Sequence, residues 1–501
     1  MNALPAGDTS ETEAPTRKGS DVMTEKAGRQ RWRRPASVAA ASALALTIGA
    51  PTAVGLEPGT AEHVAPLGFG PKNVIHLISD GMGYNHVDVA SLWEHGTTAH
   101  QVRVDPDSGT TEHLPATPAQ VYEDWPVQLG MSTYHDGHSY EADRAWAGFD
   151  YPSEDFTDSS AAGTALATGV RTYNGAIGLA PDRGPVKNLT ERAQELGKAS
   201  GVVSSVPFSH ATPAAYVAHN PDRNDYHGIA KEMLFEHDIN VVFGPGHPDF
   251  DEDGQRRDEP DHRYVDEWTW GAVQRGATAF DLVETPEEFA ALAQSSNPPR
   301  HVLGVPQVAA TLQYDRGGPD RTPDGRPVPG ALPYTAPPVE NVPTLADMTT
   351  SALAVLENAS DEGLFLMIEG GAVDWASHDN DTARVIEEQI DFNRAVEAVV
   401  DWVEESSSWH ETLVVVTADH ETGYLAGPGA DPTWTPVIGS AGQLPHVSWH
   451  SGNHTNALVP LFAKGPGASR LEQHADNIDP VRGRYLNNTD VAKVVFDFWG
   501  R

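Results

Sequence analysis

The chain has 501 residues, a formal net charge of −38 and no cysteine. Its length suits one large α/β enzyme or two to three domains, and 39% hydrophobic with 21% charged residues is a globular balance that excludes a disordered chain or a membrane bundle. Without cysteine there are no disulfides, thiolate nucleophiles or thiolate metal ligands, so any metal must be held by His, Asp, Glu or hydroxyl groups.

The charge is uneven. Residues 1–55 hold seven Lys/Arg and five Asp/Glu, a net of +2, which leaves −40 for the remainder. So acidic a body repels nucleic acids and anionic membranes, and neither is expected as a partner. An anionic substrate would need a strong local positive charge, which bound metal ions can supply.

In chain order, "RQRWRRPASVAAASALALTIGAPTAVG" (29–55) has four arginines, an apolar stretch from Ala36 to Ala50 and the small residues Ala53-Val54-Gly55. This is the layout of a secretory signal, too short for a membrane span, and it predicts a periplasmic or extracellular protein. Arg33-Arg34 permits the twin-arginine route, and Met23 is an alternative start. Residues 1–55 are therefore read as an N-terminal extension with a signal.

"NVIHLIS" from 73 is an apolar run of the kind found in buried parallel strands, and it ends in "SDGMG", which places Asp80 at a strand terminus. "DFTDSSAAGTALATG" (155–169) follows with Asp158, Ser159 and Ser160 ahead of small residues. One reading is a capped helix packed closely on a sheet; the other is a serine nucleophile at a helix N-terminus, where N–H groups favour an anion. "NLTERAQELG" predicts a short helix capped by Asn188 and Glu191 and stopped at Gly197. A second strand, "GVVSSVPF" from 201, leads into "SHATPAAYVAHNPDR" with His210, Thr212 and Arg223.

Residues 245–345 are crowded with Pro, Gly, Asp and Arg, as in "RGGPDRTPDGRPVPG" from 316, and are expected to form an inserted surface lobe. "DFDEDG" from Asp249 matches the start of a calcium loop, but Pro260 stands at the twelfth position where a Glu is needed, which favours an acidic surface turn. A third strand, "LFLMIEG" from 364, continues into "GAVDWASH" and supplies Glu369, Asp374 and His378. A helix is predicted over 383–404, where Phe392, Val396, Val399 and Val403 share one face. "TLVVVTAD" from 412 delivers Asp419 and His420, and "SGNHTN" brings His454 just before the run "ALVPLFA".

Strands alternating with helices predict an α/β fold, a three-layer α/β/α sandwich with a largely parallel central sheet and the inserted lobe. Ligands of such sheets bind beyond the carboxyl ends of the strands, where all these polar groups fall. Asp374 and His378, four apart on a helical turn, can reach one cation. His454 could complete that site, and His450 competes with it; spacing alone leaves the choice open. Oxygen groups such as Glu369 and Thr212 suit a harder ion, the forked Arg223 suits phosphate, and a serine beside cations needs no histidine base.

Together "DGMG", "TDSSAAGTALATGVRTYNGAIG", "HATPAAYVAH", "IEGGAVDWASH" and "TADHETG", with the His454 segment before "FAKGPG", closely resemble the metal-dependent alkaline phosphatases from about residue 70 to the end. The resemblance implies an alkaline phosphatase-like catalytic domain over 68–501, acting on small phosphomonoesters and releasing inorganic phosphate. Ser159 matches the phosphorylated serine and Arg223 the phosphate-binding arginine. Asp374, His378 and His454 match the ligands of one zinc, with the spacing from His454 to Gly465-Pro466 selecting it over His450. Asp419 and His420 match those of a second zinc, Asp80 is shared with a magnesium, and Thr212 and Glu369 complete the magnesium site. His210 and Trp375 stand at two variable positions beside the magnesium and the bound phosphate, and an imidazole there lets zinc compete for the third site. A homodimer is a further implication. The rivals are a related phosphodiesterase or sulfatase, and a non-catalytic exported protein that binds metal or phosphate.

Overall fold

The computed structural model describes residues 70–501; the signal and extension expected over residues 1–55 lie outside the described residues. The strands, in chain order, are β1 (Asn73–Ser79), β2 (Val102–Asp105), β3 (Thr110–His113), β4 (Val127–Ser132), β5 (Ala199–Ser204), β6 (Val241–Phe243), β7 (Asp281–Val283), β8 (Val302–Gly304), β9 (Leu364–Gly370), β10 (Thr412–Thr417), β11 (Glu421–Thr422), β12 (His454–Thr455), β13 (Val459–Lys464), β14 (Asn477–Asp479) and β15 (Gly483–Asn487). Eleven of them form one sheet in the order β14-β15-β4-β13-β10-β1-β9-β5-β6-β8-β7, while β2 with β3 and β11 with β12 form two small ribbons.

All seven strands from β10 to β7 run parallel, and the four apolar runs read from the sequence are its centre. Every residue of β1, β5, β9 and β10 is buried, which is why these segments show no polar alternation: helices cover both faces. β13 turns the sheet antiparallel, pairing with β10 on one side and β4 on the other. Register then aligns the strand ends: Ile78 pairs with Glu369 and with Thr417, and Ser204 pairs with Glu369. Asp80, Glu369 and Asp419 consequently emerge along one edge of the sheet.

The helix Leu189–Glu195 carries the expected capping box between Asn188 and Glu191. The long helix Thr382–Glu405 lays Phe392, Val396, Val399 and Val403 fully buried against the sheet. Among the described residues no helix is long and apolar enough to cross a membrane.

The stretch 245–345 is only in part an excursion. It contributes the helices Glu267–Gln274 and Pro286–Gln294, and its strands β7 and β8 extend the parallel edge. Strands of three residues leave too little periodic pattern to be read from a Pro- and Gly-rich background. From Val305 to Thr344 the chain has no helix or sheet strand. The acidic segment from Asp249 is a turn, with Asp251 Oδ1 accepting from the N–H groups of Asp253 and Gln255. Asp253 in turn accepts from Gly317 N at 2.6 Å and so supports the loop that follows.

That loop is fixed by charge. Arg384, fully buried on the long helix, donates to Asp320 at 2.7 Å; Arg316, also buried, pairs with Glu387; and Arg321 lies 3.3 Å from Asp381. Buried ion pairs add little net stability because desolvation offsets the attraction, but they define geometry.

Candidate metal centre

Asp158 and Ser159 form the capped helix start of the first reading, and the cap sets where the Ser159 hydroxyl lies. Asp158 is the N-cap of the helix Ser159–Thr168: its carboxylate accepts from Ala161 N at 2.9 Å, from the Ser160 hydroxyl at 2.8 Å and from Gly175 N at 2.9 Å. Ser159 is therefore the first helical residue, its backbone set by the cap, and its buried Oγ lies 3.2 Å from His420 Nε2. Gly163 lets the helix come close to the one that carries Thr212: a Cβ there would stand 3.1 Å from Ala215 Cβ. Arg223 reaches back to Asp158 through Nη1 at 3.1 Å.

Two groups of potential metal ligands flank the serine. Asp374, His378 and His454 form one, and Asp80, Asp419 and His420 the other. The ribbon of β11 and β12 joins them, because its register pairs Thr422, two residues after His420, with His454. Asp80 sits in a turn that only glycine allows: Gly81 has φ +75°, and a Cβ on it would be 2.9 Å from Asp374 Cα. His450 is elsewhere, packed on the Phe149 ring at 4.5 Å, so the geometry takes His454 and leaves His450 out.

The donor set fits cations. Nδ1 of His378 donates to Gly452 O at 2.8 Å and Nδ1 of His454 to Thr157 O at 2.9 Å, which leaves the Nε2 lone pairs free. Those two Nε2 atoms face each other at 3.2 Å and face Asp374 at 3.3 and 3.6 Å. Two lone pairs and a carboxylate so close repel unless a positive charge lies among them. In the second group His420 Nε2 is 3.4 Å from Asp80 and 3.3 Å from Asp419, while both oxygens of Asp80 and one of Asp419 have no hydrogen-bond partner. Thr212 Oγ1, Glu369 Oε1 and His210 Nδ1 are likewise buried and unpartnered.

Electrostatics agree. Burial, reinforced by the charges of Asp419, Asp374 and Glu369, pushes the Asp80 carboxyl well above the usual range. Burial also raises Glu369 to about 8 and Asp419 to about 7. Three carboxyl groups thus crowd a site that would resist ionising them without cations. Asp374 is the exception: against the effect of burial, positive charge on His378 and His454 would hold its carboxyl far below that range. Also against burial, Asp374 in turn raises His378 to about 9, so these imidazoles face a proton or a cation in the same place. Burial lowers His210 to about 3 and keeps it a neutral imidazole.

A third carboxylate–imidazole group, Asp88, His100 and Glu123, was not signalled by any strand-end motif. Asp88 accepts from the N–H groups of Ala99 and His100, and Glu123 accepts through Oε2 from those of Ala119 and Gln120 while its Oε1 lies 2.9 Å from His100 Nε2, so the group closes on itself, which marks it as scaffold.

Ser159, His210, Arg223, Asp374, Trp375, His378 and His454 line one open cavity of about 490 Å³. Sequence reasoning missed three other residues on its wall, Tyr314, Asp315 and Asp379. The first two come from the irregular loop, where no period or motif announces a side chain's direction. Asp379 follows the helix Ala372–His378 as its C-cap and reads in sequence as a helix end.

Fold and site together define a hydrolase of the α/β class with metal-binding groups at the carboxyl ends of its parallel strands. The chain belongs to the alkaline phosphatase family, whose model matches residues 71–441, and is a phosphoric monoester hydrolase. It is 30% identical to alkaline phosphatase 4 of Bacillus subtilis over 491 aligned positions, covering 85% of this chain and 88% of that one. It is 28% identical to the streptomycin-6-phosphate phosphatase of Streptomyces griseus, covering 90% of this chain and 96% of that protein. Among solved structures it is similar to the alkaline phosphatase of the Antarctic bacterium TAB5, in a His-to-Asp variant with magnesium bound in its M3 site. The TM-score is 0.54 at 23% identity, with 86% and 98% of the two chains covered.

Proposed function

We propose that the chain hydrolyses phosphomonoesters in two in-line displacements through a phosphoserine at Ser159. Asp374, His378 and His454 would hold one zinc, Asp80, Asp419 and His420 a second, and Asp80, Thr212 and Glu369 a magnesium, with His210 beside it. The supporting observation is the placement of Ser159 Oγ 3.2 Å from His420 Nε2, which itself faces Asp80, with both oxygens unpartnered, and Asp419, with one. Bound there, the cations supply Lewis acidity: a lowered pKa for the serine hydroxyl and for a water, and neutralised phosphoryl oxygens.

The chain's own residues do the rest. Asp158 sets the first turn so that Ser159 presents Oγ into the cavity, and its charge holds the Arg223 guanidinium at the cavity wall. The guanidinium can then fork onto two phosphoryl oxygens and keep the transferring group in place through both displacements. Trp375 on the wall replaces a charge with an apolar face next to the phosphate. A relative named for a single phosphorylated antibiotic indicates that family membership fixes the reaction class more firmly than the alcohol released. Export, supported by the 29–55 pattern, is part of the same proposal; N-terminal sequencing of the mature protein tests it.

The test is acid quenching with labelled inorganic phosphate. The zinc- and magnesium-loaded enzyme should retain label on one serine, S159A should retain none and lose turnover, and S160A should still be labelled. Label on another residue, or full turnover by S159A, would overturn the assignment.

A further inference from the structure

The cavity has a floor and a mouth of opposite character. Ser159, 2% exposed, marks the floor and Arg223 lies on the wall beside it; the exposed Asp379 and the half-buried Asp315 and Trp375 mark the mouth, and the largely buried Tyr314 ring lines the cavity with them. Asp379 is exposed and Asp315 half-buried, and neither has a cation at ion-pair distance among the described residues. Their only side-chain partners are hydroxyls: Tyr314 donates to Asp379 Oδ2, and Thr311 donates to Asp315 Oδ2 at 3.4 Å. The nearby arginines take other direct partners, and Arg321 and Arg263 act on Asp315 only through space. Arg223 faces Asp158, Arg321 pairs with Asp381 and lies 4.7 Å over the Tyr314 ring, and Arg263 lies over the Tyr264 ring at 5.1 Å.

This wall is preformed. Arg384 donates to the carbonyls of Gln313 and Tyr314 as well as to Asp320, and Arg316 donates to the Gln313 carbonyl while paired with Glu387. Tyr314 and Asp315 are thus held by buried guanidiniums and cannot swing away from an approaching ester. A phosphomonoester arrives as a dianion into a chain of net charge −38, and two fixed carboxylates at the entrance add repulsion. The arrangement becomes favourable if the part of the substrate that remains at the mouth is itself positive. Carboxylates flanked by aromatic faces are the surroundings that bind ammonium and guanidinium groups.

Resting on the phosphomonoesterase reading above, we infer that Asp315, Asp379, Tyr314 and Trp375 form a leaving-group subsite selective for phosphate esters of cationic alcohols. The phosphate goes to Ser159 and Arg223, and an ammonium or guanidinium group on the alcohol goes to the acidic wall.

The holoenzyme, loaded with zinc and magnesium, tests this with three esters: choline phosphate, its uncharged isostere 3,3-dimethylbutyl phosphate, and 3-phosphoglycerate. The expected kcat/KM for choline phosphate exceeds that of the isostere by about tenfold at low ionic strength, with 3-phosphoglycerate lowest. The ratio should shrink in 0.5 M salt, on the order of what screening removes from an exposed pair, and should fall towards one in D315N and D379N. A wild-type ratio near one overturns the inference, as does a ratio that survives both substitutions. Equal losses on all three esters in the variants also overturn it, since the carboxylates would then be serving the metal ligands. 4-Nitrophenyl phosphate separates the two levels: if it is hydrolysed in a chelator-sensitive way without a preference among the esters, only the subsite fails. If it is not hydrolysed, the phosphomonoesterase reading fails and the subsite with it.

Discussion

Arg223 donates to Asp158 at 3.1 Å, and Asp158 caps the helix whose first residue is Ser159. One carboxylate therefore positions both the proposed nucleophile and the proposed phosphate holder. Asp158→Ala should lose about 1 kcal/mol of cap stability, and Arg223 should lose its anchor. The expected outcome is a thermal midpoint lower by a few degrees together with a raised inhibition constant for inorganic phosphate. A drop in midpoint with unchanged phosphate inhibition would show that Arg223 does not depend on Asp158.

His210 is a neutral imidazole with an unpartnered Nδ1 beside the proposed magnesium site. His210→Asp supplies a hard oxygen ligand and a negative charge. Activity of the variant should depend more steeply on magnesium, and the ratio of magnesium to zinc in the purified protein should rise. Identical metal titrations for the two proteins would sink this.

Chelation should destabilise the fold as well as abolish activity. Crowded carboxyls gain counter-charge only from cations, so an ion bound at a hundred to a thousand times its dissociation constant stabilises by about 3–4 kcal/mol. Calorimetry of the protein before and after chelation and dialysis should show a lower midpoint, restored by zinc and magnesium.

Glu388, on the long helix, is buried with Oε1 unpartnered, and burial followed by repulsion from Asp391 raises its carboxyl to about 8. A raised acid stabilises the fold below its unfolded value and loses that contribution as pH climbs through the folded one. Glu388→Gln should therefore match the wild type at pH 4.5 and exceed it by about 2–4 kcal/mol at pH 9. Urea midpoints at the two pH values measure the difference.

Asp320→Ala would leave Arg384 charged and buried without its partner, a loss of about 3–5 kcal/mol by analogy with other broken pairs. The damage should be local to residues 311–322, seen as faster proteolytic cleavage there and a higher KM. Replacing both residues, with Asp320→Leu and Arg384→Met, should recover much of the stability but not the cleavage resistance of the loop.

The central sheet was legible because four strands buried on both faces must be continuous apolar runs, and the candidate ligands were legible because each run ends in a polar group. The choice of His454 over His450 was not readable from spacing; it came from the resemblance, and the ribbon register of Thr422 with His454 agrees with it. β7 and β8 were invisible because three residues carry no period. Tyr314 and Asp315 were invisible for another reason: their loop is anchored through the Tyr314 carbonyl by Arg384, a residue far along the chain on the long helix.

β4 is made early yet lies between β15 and β13, and β13 is the strand that links it to β10. During synthesis the early strand has no neighbour to zip against until the last fifty or so residues exist. His454 appears only just before β13, so the first ligand group closes at nearly the same moment as the sheet. Pairings of such long range fold slowly. A chain stopped before β13 would lack His454 and the strand that joins β4 to β10, so on the proposed assignment turnover reports that this seam has closed.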